Sequence, residues 1–263
     1  MGEQTVYVTR RNGIVTLTLA NPPMNLITVG LTRELDQHLE ALSADNTVRV
    51  LIVTGEGENA FCAGSDIREF AAFMEGNEDV WESKLVPENE MYRKLAEYPA
   101  PTIAAIDGIA LGGGLELAIC CDLVVADQNA RLGLPEVKLG VFPGSGGTFR
   151  LARRIGDGRA KELMFLGETI DAERALSWGL VNRVASTGTA IAKANELADH
   201  IAANSPKGLR LCKQALASAS LPGDEESVKL LLPFIAQAFR EKDIQEGVRA
   251  FFAKETPRFS KGK

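Results

Sequence analysis

Apolar and polar residues alternate from Tyr7 to Ala20, with Val15, Leu17 and Leu19 on one face and Ile14, Thr16 and Thr18 on the other. An Arg-Asn-Gly turn breaks the alternation at residues 11–13, so the stretch predicts a β-hairpin, which Asn21-Pro22-Pro23 ends. From Thr28 to Ser43 the period changes: Leu31, Leu35, Leu39 and Leu42 share one helical face, and Thr28 stands where it can cap the helix. The solid apolar run Val48 to Val53 predicts a buried strand.

A second round follows, with a polar loop at 55–59, a turn at Cys62 to Asp66, and helices through about Glu97. Pro99 and Pro101 close it. A strand over Thr102 to Ile106 leads into a glycine cluster and a short apolar helix, and Leu123 to Ala126 and Arg131 to Leu134 read as further strands. Beyond Gly144 the pattern turns helical, with helices predicted at 146–155, 158–166, 171–178, 190–203, 207–219, 225–241 and 243–254, and one short strand at Val181 to Val184. The pattern defines a mixed α/β core over residues 1–199 and a helical C-terminal region over 200–263. No stretch has linker composition, so the two should pack together.

With 45% hydrophobic and 24% charged residues among 263, the chain is of ordinary globular composition; disordered, collagenous and disulfide-scaffold classes are excluded. No apolar run reaches the roughly 18 residues of a membrane span, and the N-terminus lacks the apolar core of a secretory signal, so a cytoplasmic, membrane-free protein is expected. A net charge of −6 argues against nucleic acid as a partner, and any anionic ligand must meet a local basic patch. The four cysteines, Cys62, Cys120, Cys121 and Cys212, form no Cys-x-x-Cys pair and read as reduced thiols. The only two histidines, His38 and His200, lie in helical stretches, so neither a zinc site nor a histidine triad is expected, and acid–base chemistry falls to carboxylates.

Glycine accounts for 25 residues, and twelve of them fall between Gly108 and Gly167, twice the density of the whole chain. Phosphate cradles would explain such a cluster, but neither Gly112-Gly113-Gly114-Leu115-Glu116-Leu117 nor Gly144-Ser145-Gly146-Gly147-Thr148-Phe149 completes a dinucleotide fingerprint. No Walker loop and no serine nucleophile elbow occur either. Two readings of Gly112 to Gly114 remain: close packing of a helix on a sheet, or clearance for backbone N–H groups, Gly113 at a helix start and Ser65 after Gly64, that face an oxyanion. Glu116 lies in a mostly apolar helix where a solvated charge is out of place, and Glu136 follows Pro135 in an apolar stretch; each is either a catalytic acid or an ordinary terminal or loop charge.

Four ordered segments, Ala60 to Ile67, Ala105 to Gly108, Gly112 to Leu117, and Leu134-Pro135-Glu136 with Gly140 to Gly147, together resemble the crotonase family, the enoyl-CoA hydratases and isomerases. The resemblance runs from the first hairpin to Phe259-Ser260-Lys261-Gly262. It implies a spiral of repeated ββα units with a helical C-terminal trimerisation region, and assembly as a homo-hexamer, a dimer of trimers. It also implies reversible syn addition of water to a 2-trans-enoyl-CoA in fatty acid β-oxidation, with no cofactor beyond the coenzyme A of the substrate. On this resemblance Ser65 and Gly113 supply the oxyanion amides and Glu116 and Glu136 the base and the acid. Ala63, Asp66, Ile67, Arg68, Lys254 and Phe259 would contact coenzyme A. Segment 249–263, with Arg249, Lys254, Arg258, Lys261 and Lys263 against Glu255, is a candidate phosphate patch of net charge +4. A 3-enoyl isomerase or a dehydratase of a specialised thioester such as carnitinyl-CoA is the alternative. Ser65 departs from the usual alanine, Phe149 from a frequent glutamine, and the segment Phe70 to Glu90, with Phe73, Met74, Trp81 and Leu85, is expected to border the acyl pocket.

Overall fold

The computed structural model describes residues 4–76, 79–218 and 232–259. Strands β1 (Val6–Arg11) and β2 (Ile14–Leu19) form the expected antiparallel hairpin, with Arg11 opposite Ile14. Asn12 and Gly13 take positive φ at its turn. Helix α1 (Val29–Ser43) buries Leu31, Leu35, Leu39 and Leu42, and the Thr28 side chain accepts from the Leu31 amide as its N-cap. Each of those leucines contributes about 1.5–3 kcal/mol by leaving water.

The rest of the core is three rounds of one pattern. β3 (Val50–Gly55), β5 (Thr102–Ile106) and β7 (Leu123–Asp127) enter one sheet, and the strands that follow them, β4 (Ala60–Cys62), β6 (Ile109–Leu111) and β8 (Arg131–Gly133), enter another. The first sheet runs β1-β2-β3-β5-β7-β10 and is parallel from β2 onward, with β10 at Arg183–Ala185. The second runs β4-β6-β8-β9, with β9 (Thr169–Asp171) antiparallel to β8. Each round then closes with helix: α2 (Ile67–Glu75), a π-helical turn (Trp81–Leu85) and α3 (Val86–Ala96) after β4; α4 (Gly113–Ala118) after β6; a 3-10 turn (Glu136–Leu139) and α5 (Gly147–Ile155) after β8. This is the expected ββα spiral.

Two cores flank the first sheet. Leu51, Val53, Ala104 and Ile106 point into the larger, between the sheets and α1; Val50, Ile52, Ile103 and Ala105 pack on Ala190, Ala194 and Ala198 of α8 (Ala190–Ala202). Burial on both faces is why these strands read as continuous apolar runs rather than alternating ones. The chain continues through α6 (Asp157–Leu166), α7 (Ala172–Trp178), α9 (Pro206–Ser218) and α10 (Lys242–Ala253).

Several boundaries move for physical reasons. β3 begins at Val50 rather than Val48, because a turn at Asp45 takes the Val48 amide (3.1 Å) and the Asp45 carboxylate accepts from Thr47. The strand expected at Val181 to Val184 starts two residues later: Gly179 ends α7 in the left-handed region, and Leu180 and Val181 still donate to the Ala175 carbonyl. β4, β6 and β9 are three residues each, too short to show a period. Of the helix expected at 225–241, residues 232–238 are helical; residues 225–231, like Lys261 and Lys263, lie outside the described residues.

Candidate active site

Three glycines in a row at the start of α4 have three different reasons. Gly112 has φ +52°, and a side chain there would stand 3.4 Å from Glu136 Oε1. A side chain on Gly113 would meet the Tyr92 hydroxyl at 3.0 Å and Ser65 Oγ at 3.4 Å. Gly114 is a packing glycine: its Cβ would stand 2.0 Å from the Cys62 carbonyl, so α4 can lie on β4 only without it. Both readings of the cluster hold, at different positions.

Gly64, at φ +103°, turns the chain beside Gly112 and Gly113, and its own Cβ would lie 3.5 Å from the Gly113 nitrogen. The Ile27 amide takes the Gly64 carbonyl and the Asp66 amide the Ile27 carbonyl, both at 2.9 Å, which pins the loop on either side of Ser65. Among the described residues the amides of Ser65 and Gly113 find no acceptor. Two neighbouring backbone donors are thereby left without an acceptor.

Glu116, 3% exposed, sits in α4, and its Oε1 accepts from the amides of Ser145 (2.8 Å) and Gly147 (2.7 Å). Gly147 opens α5, so this carboxylate satisfies an orphan donor at a helix start. The Arg150 guanidinium holds the Ser145 carbonyl from the other side at 2.8 Å. Oε2 has no hydrogen-bond donor among the described residues. Burial pushes this carboxyl up to about 7; the Gly147 and Ser145 amides oppose the rise and the Glu136 charge adds to it.

Glu136 is less buried as a residue, yet both its carboxyl oxygens are sealed from solvent and unpartnered. Burial raises its pKa as well. Burial thus displaces both carboxyls toward their neutral forms, and the Glu136 charge adds to the rise at Glu116.

The coenzyme A positions expected from sequence divide. Ala63, Asp66, Ile67 and Arg68 continue the Gly64 loop into α2; Asp66 caps that helix by accepting the Arg68 amide at 3.0 Å and binds the Arg68 guanidinium at 2.7 Å, while Arg68 stays 83% exposed. Lys254 ends α10, and Phe259 closes a cavity of about 270 Å³ whose walls include Leu211, Phe239 and Ile244. Arg249 of the basic segment is already paired with Glu246 and Glu255. In the 70–90 segment Met74 and Trp81 are exposed, whereas Lys84 and Glu88 are fully buried. Sequence reasoning missed those two, along with the amides that hold Glu116. Among the described residues no cluster of potential ligands could hold a metal ion, and no helix is long and apolar enough to cross a membrane.

The sequence model of the enoyl-CoA hydratase/isomerase family matches residues 9–262, and the chain belongs to that family. It is 41% identical over 249 residues to a probable enoyl-CoA hydratase of Bacillus subtilis, an alignment that covers 94% of this chain and 95% of the relative. It is 33% identical to a carnitinyl-CoA dehydratase of Proteus mirabilis over 97% of both chains. A crystal structure of an enoyl-CoA hydratase from Bacillus anthracis superposes with a TM-score of 0.94 at 37% identity, covering 99% of this chain and all of that one.

Proposed function

We propose that the protein is an enoyl-CoA hydratase, a hydro-lyase that adds water in syn fashion to a 2-trans-enoyl thioester of coenzyme A and gives the 3-hydroxyacyl thioester. The observation that carries this reading is the pairing of two unpartnered amides, Ser65 and Gly113, with two buried carboxyls of raised pKa, Glu116 and Glu136. The thioester oxygen accepts from both amides, and its growing negative charge in the enolate-like state is met without reorganisation; one such donor is worth roughly 2.7–4 kcal/mol of barrier. Glu116, held through Oε1, uses Oε2 to orient a water and take its proton as the oxygen bonds to the β-carbon. Glu136 delivers a proton to the α-carbon. A proton passed from Glu116 to Glu136 resets the site, and the reverse sequence is dehydration. The chemistry needs no cofactor beyond the coenzyme A of the substrate.

Arg68 and Lys254 would meet the coenzyme A phosphates, with Ala63, Asp66, Ile67 and Phe259 around the rest of that moiety. Exposed Phe251 and Phe252 on α10 support burial of that face in a homo-hexamer, a dimer of trimers, through the C-terminal helices. A cytoplasmic place in fatty acid β-oxidation accords with this chemistry.

Dehydration of a specialised hydroxyacyl thioester would use the same groups. Isomerisation of a 3-enoyl thioester needs only one carboxyl, so the built seat of Glu116 favours hydration. A panel of 2-enoyl, 3-enoyl and 3-hydroxyacyl thioesters, followed by absorbance of the conjugated double bond, tests the reading. Consumption of 2-enoyl-CoA that Glu116→Gln or Glu136→Gln abolishes supports it; near-normal turnover in either variant, or no thioester consumed, overturns it.

A further inference from the structure

We propose that Lys84 and Glu88 are positioning residues: a buried ion pair that tethers the Ser65 side chain and so sets the Ser65 amide against that of Gly113. The proposal rests on the hydratase reading, in which those two amides polarise the thioester carbonyl.

Lys84 Nζ is fully buried and has three oxygen partners: Glu69 Oε2 at 2.7 Å, the Ile27 carbonyl at 3.0 Å and Glu88 Oε1 at 3.2 Å. Glu88, 1% exposed, accepts the Ser65 hydroxyl at 2.9 and 3.1 Å through its two oxygens. Glu69 in turn accepts the Val29 amide at 3.1–3.2 Å, at the first turn of α1. Ile27 is the residue whose backbone brackets Ser65 by pairing with Gly64 and Asp66. One ammonium therefore grips both anchors of Ser65: its backbone neighbour through Ile27, and its side chain through Glu88. The link is immediate, since Ser65 Oγ would stand 3.4 Å from a Cβ on Gly113.

Stability alone does not account for the arrangement. Burying an ion pair is often no better than burying apolar side chains of the same volume, so such a pair is weak evidence of a stabilising role and better evidence of one geometry being specified. Lys84 lies in a single π-helical turn, a rare element that recurs at functional sites.

The test uses the whole protein. Ser65→Ala keeps the amide and removes only the tether; Glu88→Ala removes the acceptor; Glu88→Gln keeps an acceptor oxygen; Lys84→Met removes the ammonium. Turnover of 2-trans-enoyl-CoA should fall about tenfold in Ser65→Ala and in Glu88→Ala with KM within about twofold, the double variant being no worse than the poorer single. Glu88→Gln should recover most of kcat. A bound chromophoric aryl-enoyl-CoA reads carbonyl polarisation directly: its red shift should shrink in Ser65→Ala and Glu88→Ala and return in Glu88→Gln. Unchanged kcat and red shift in Ser65→Ala, a variant that loses one hydroxyl and should fold, overturns the proposal even if Glu88→Ala or Lys84→Met fails to fold. So does a loss confined to KM or to melting temperature. A wild-type protein that red-shifts the probe without hydrating any enoyl-CoA defeats the hydratase reading instead, and the red-shift comparison still decides the role of the pair.

Discussion

The Gly147 amide donates to Glu116 Oε1 at 2.7 Å, and a methyl group on Gly147 would stand 2.8 Å from the same oxygen. The position thus has two requirements at once: a free N–H at the start of α5, and no side chain. The carboxylate is fixed by backbone, from a segment 31 residues further along the chain.

Gly147→Ala should therefore act as a displacement of Glu116 without changing any titratable group. The added carbon also meets Pro143 Cβ at 2.9 Å, so α5 cannot simply slide aside. A carboxylate moved by an ångström costs turnover about 10²-fold. Steady-state hydration should show this loss in kcat with KM little changed; a variant with wild-type kcat would mean that Glu116 does not need this seat.

The raised pKa of Glu116 makes stability depend on pH. Between its ordinary value of 4.5 and about 7 the folded protein holds a proton that the unfolded chain has lost. The contribution is therefore favourable in acid and is lost as pH rises through 7. Glu116→Gln cannot ionise, yet keeps an oxygen for the two amides. It should exceed the wild type above pH 7 by on the order of 3 kcal/mol and converge with it below pH 5. Urea denaturation at pH 5 and 8.5 measures the difference, which must grow with pH.

How much of this was legible in sequence follows from the range of each interaction. The hairpin, α1 and the apolar strands announce themselves because their patterns are local. Ser65, Gly113, Glu116 and Glu136 stood out because short motifs carry them. The seat of Glu116 did not, since it joins α4 to amides 29 and 31 residues away. Lys84 and Glu88 were hidden for a further reason: a lysine and a glutamate four apart on a helical stretch normally read as a solvated surface pair. The one available signal was Ser65 itself, a hydroxyl that departs from the alanine the family resemblance implies there.

Gly114 and Gly158 look alike in sequence and should behave oppositely. Alanine at 114 drives its Cβ to 2.0 Å from the Cys62 carbonyl, backbone against backbone, with no flexible atom to yield. The expected cost is about 3 kcal/mol, near 6–10 °C in Tm for a chain of this size. Gly158 lies inside α6 with nothing within 4 Å of the place its Cβ would take, and alanine there should stabilise by about 0.4–1 kcal/mol. Thermal melts of the two variants should move in opposite directions.

Tyr92 offers a way to perturb Gly113 without adding an atom. Its hydroxyl, in a fully buried side chain of α3, donates to the Gly113 carbonyl at 2.8 Å and lies 3.0 Å from the point where a Gly113 Cβ would stand. Tyr92→Phe removes this bond and leaves the ring packing intact. The net loss of stability should be about 0.5–1.5 kcal/mol, a drop of a few degrees in Tm. If the bond also holds Gly113 against the thioester oxygen, kcat should fall several-fold while KM stays near the wild-type value, because the oxygen binds its donors more tightly as charge develops. Calorimetry together with steady-state kinetics separates the two effects. A lowered Tm with unchanged kcat would make Tyr92 a packing residue only, and would mean that α4 aims the Gly113 amide without help from α3.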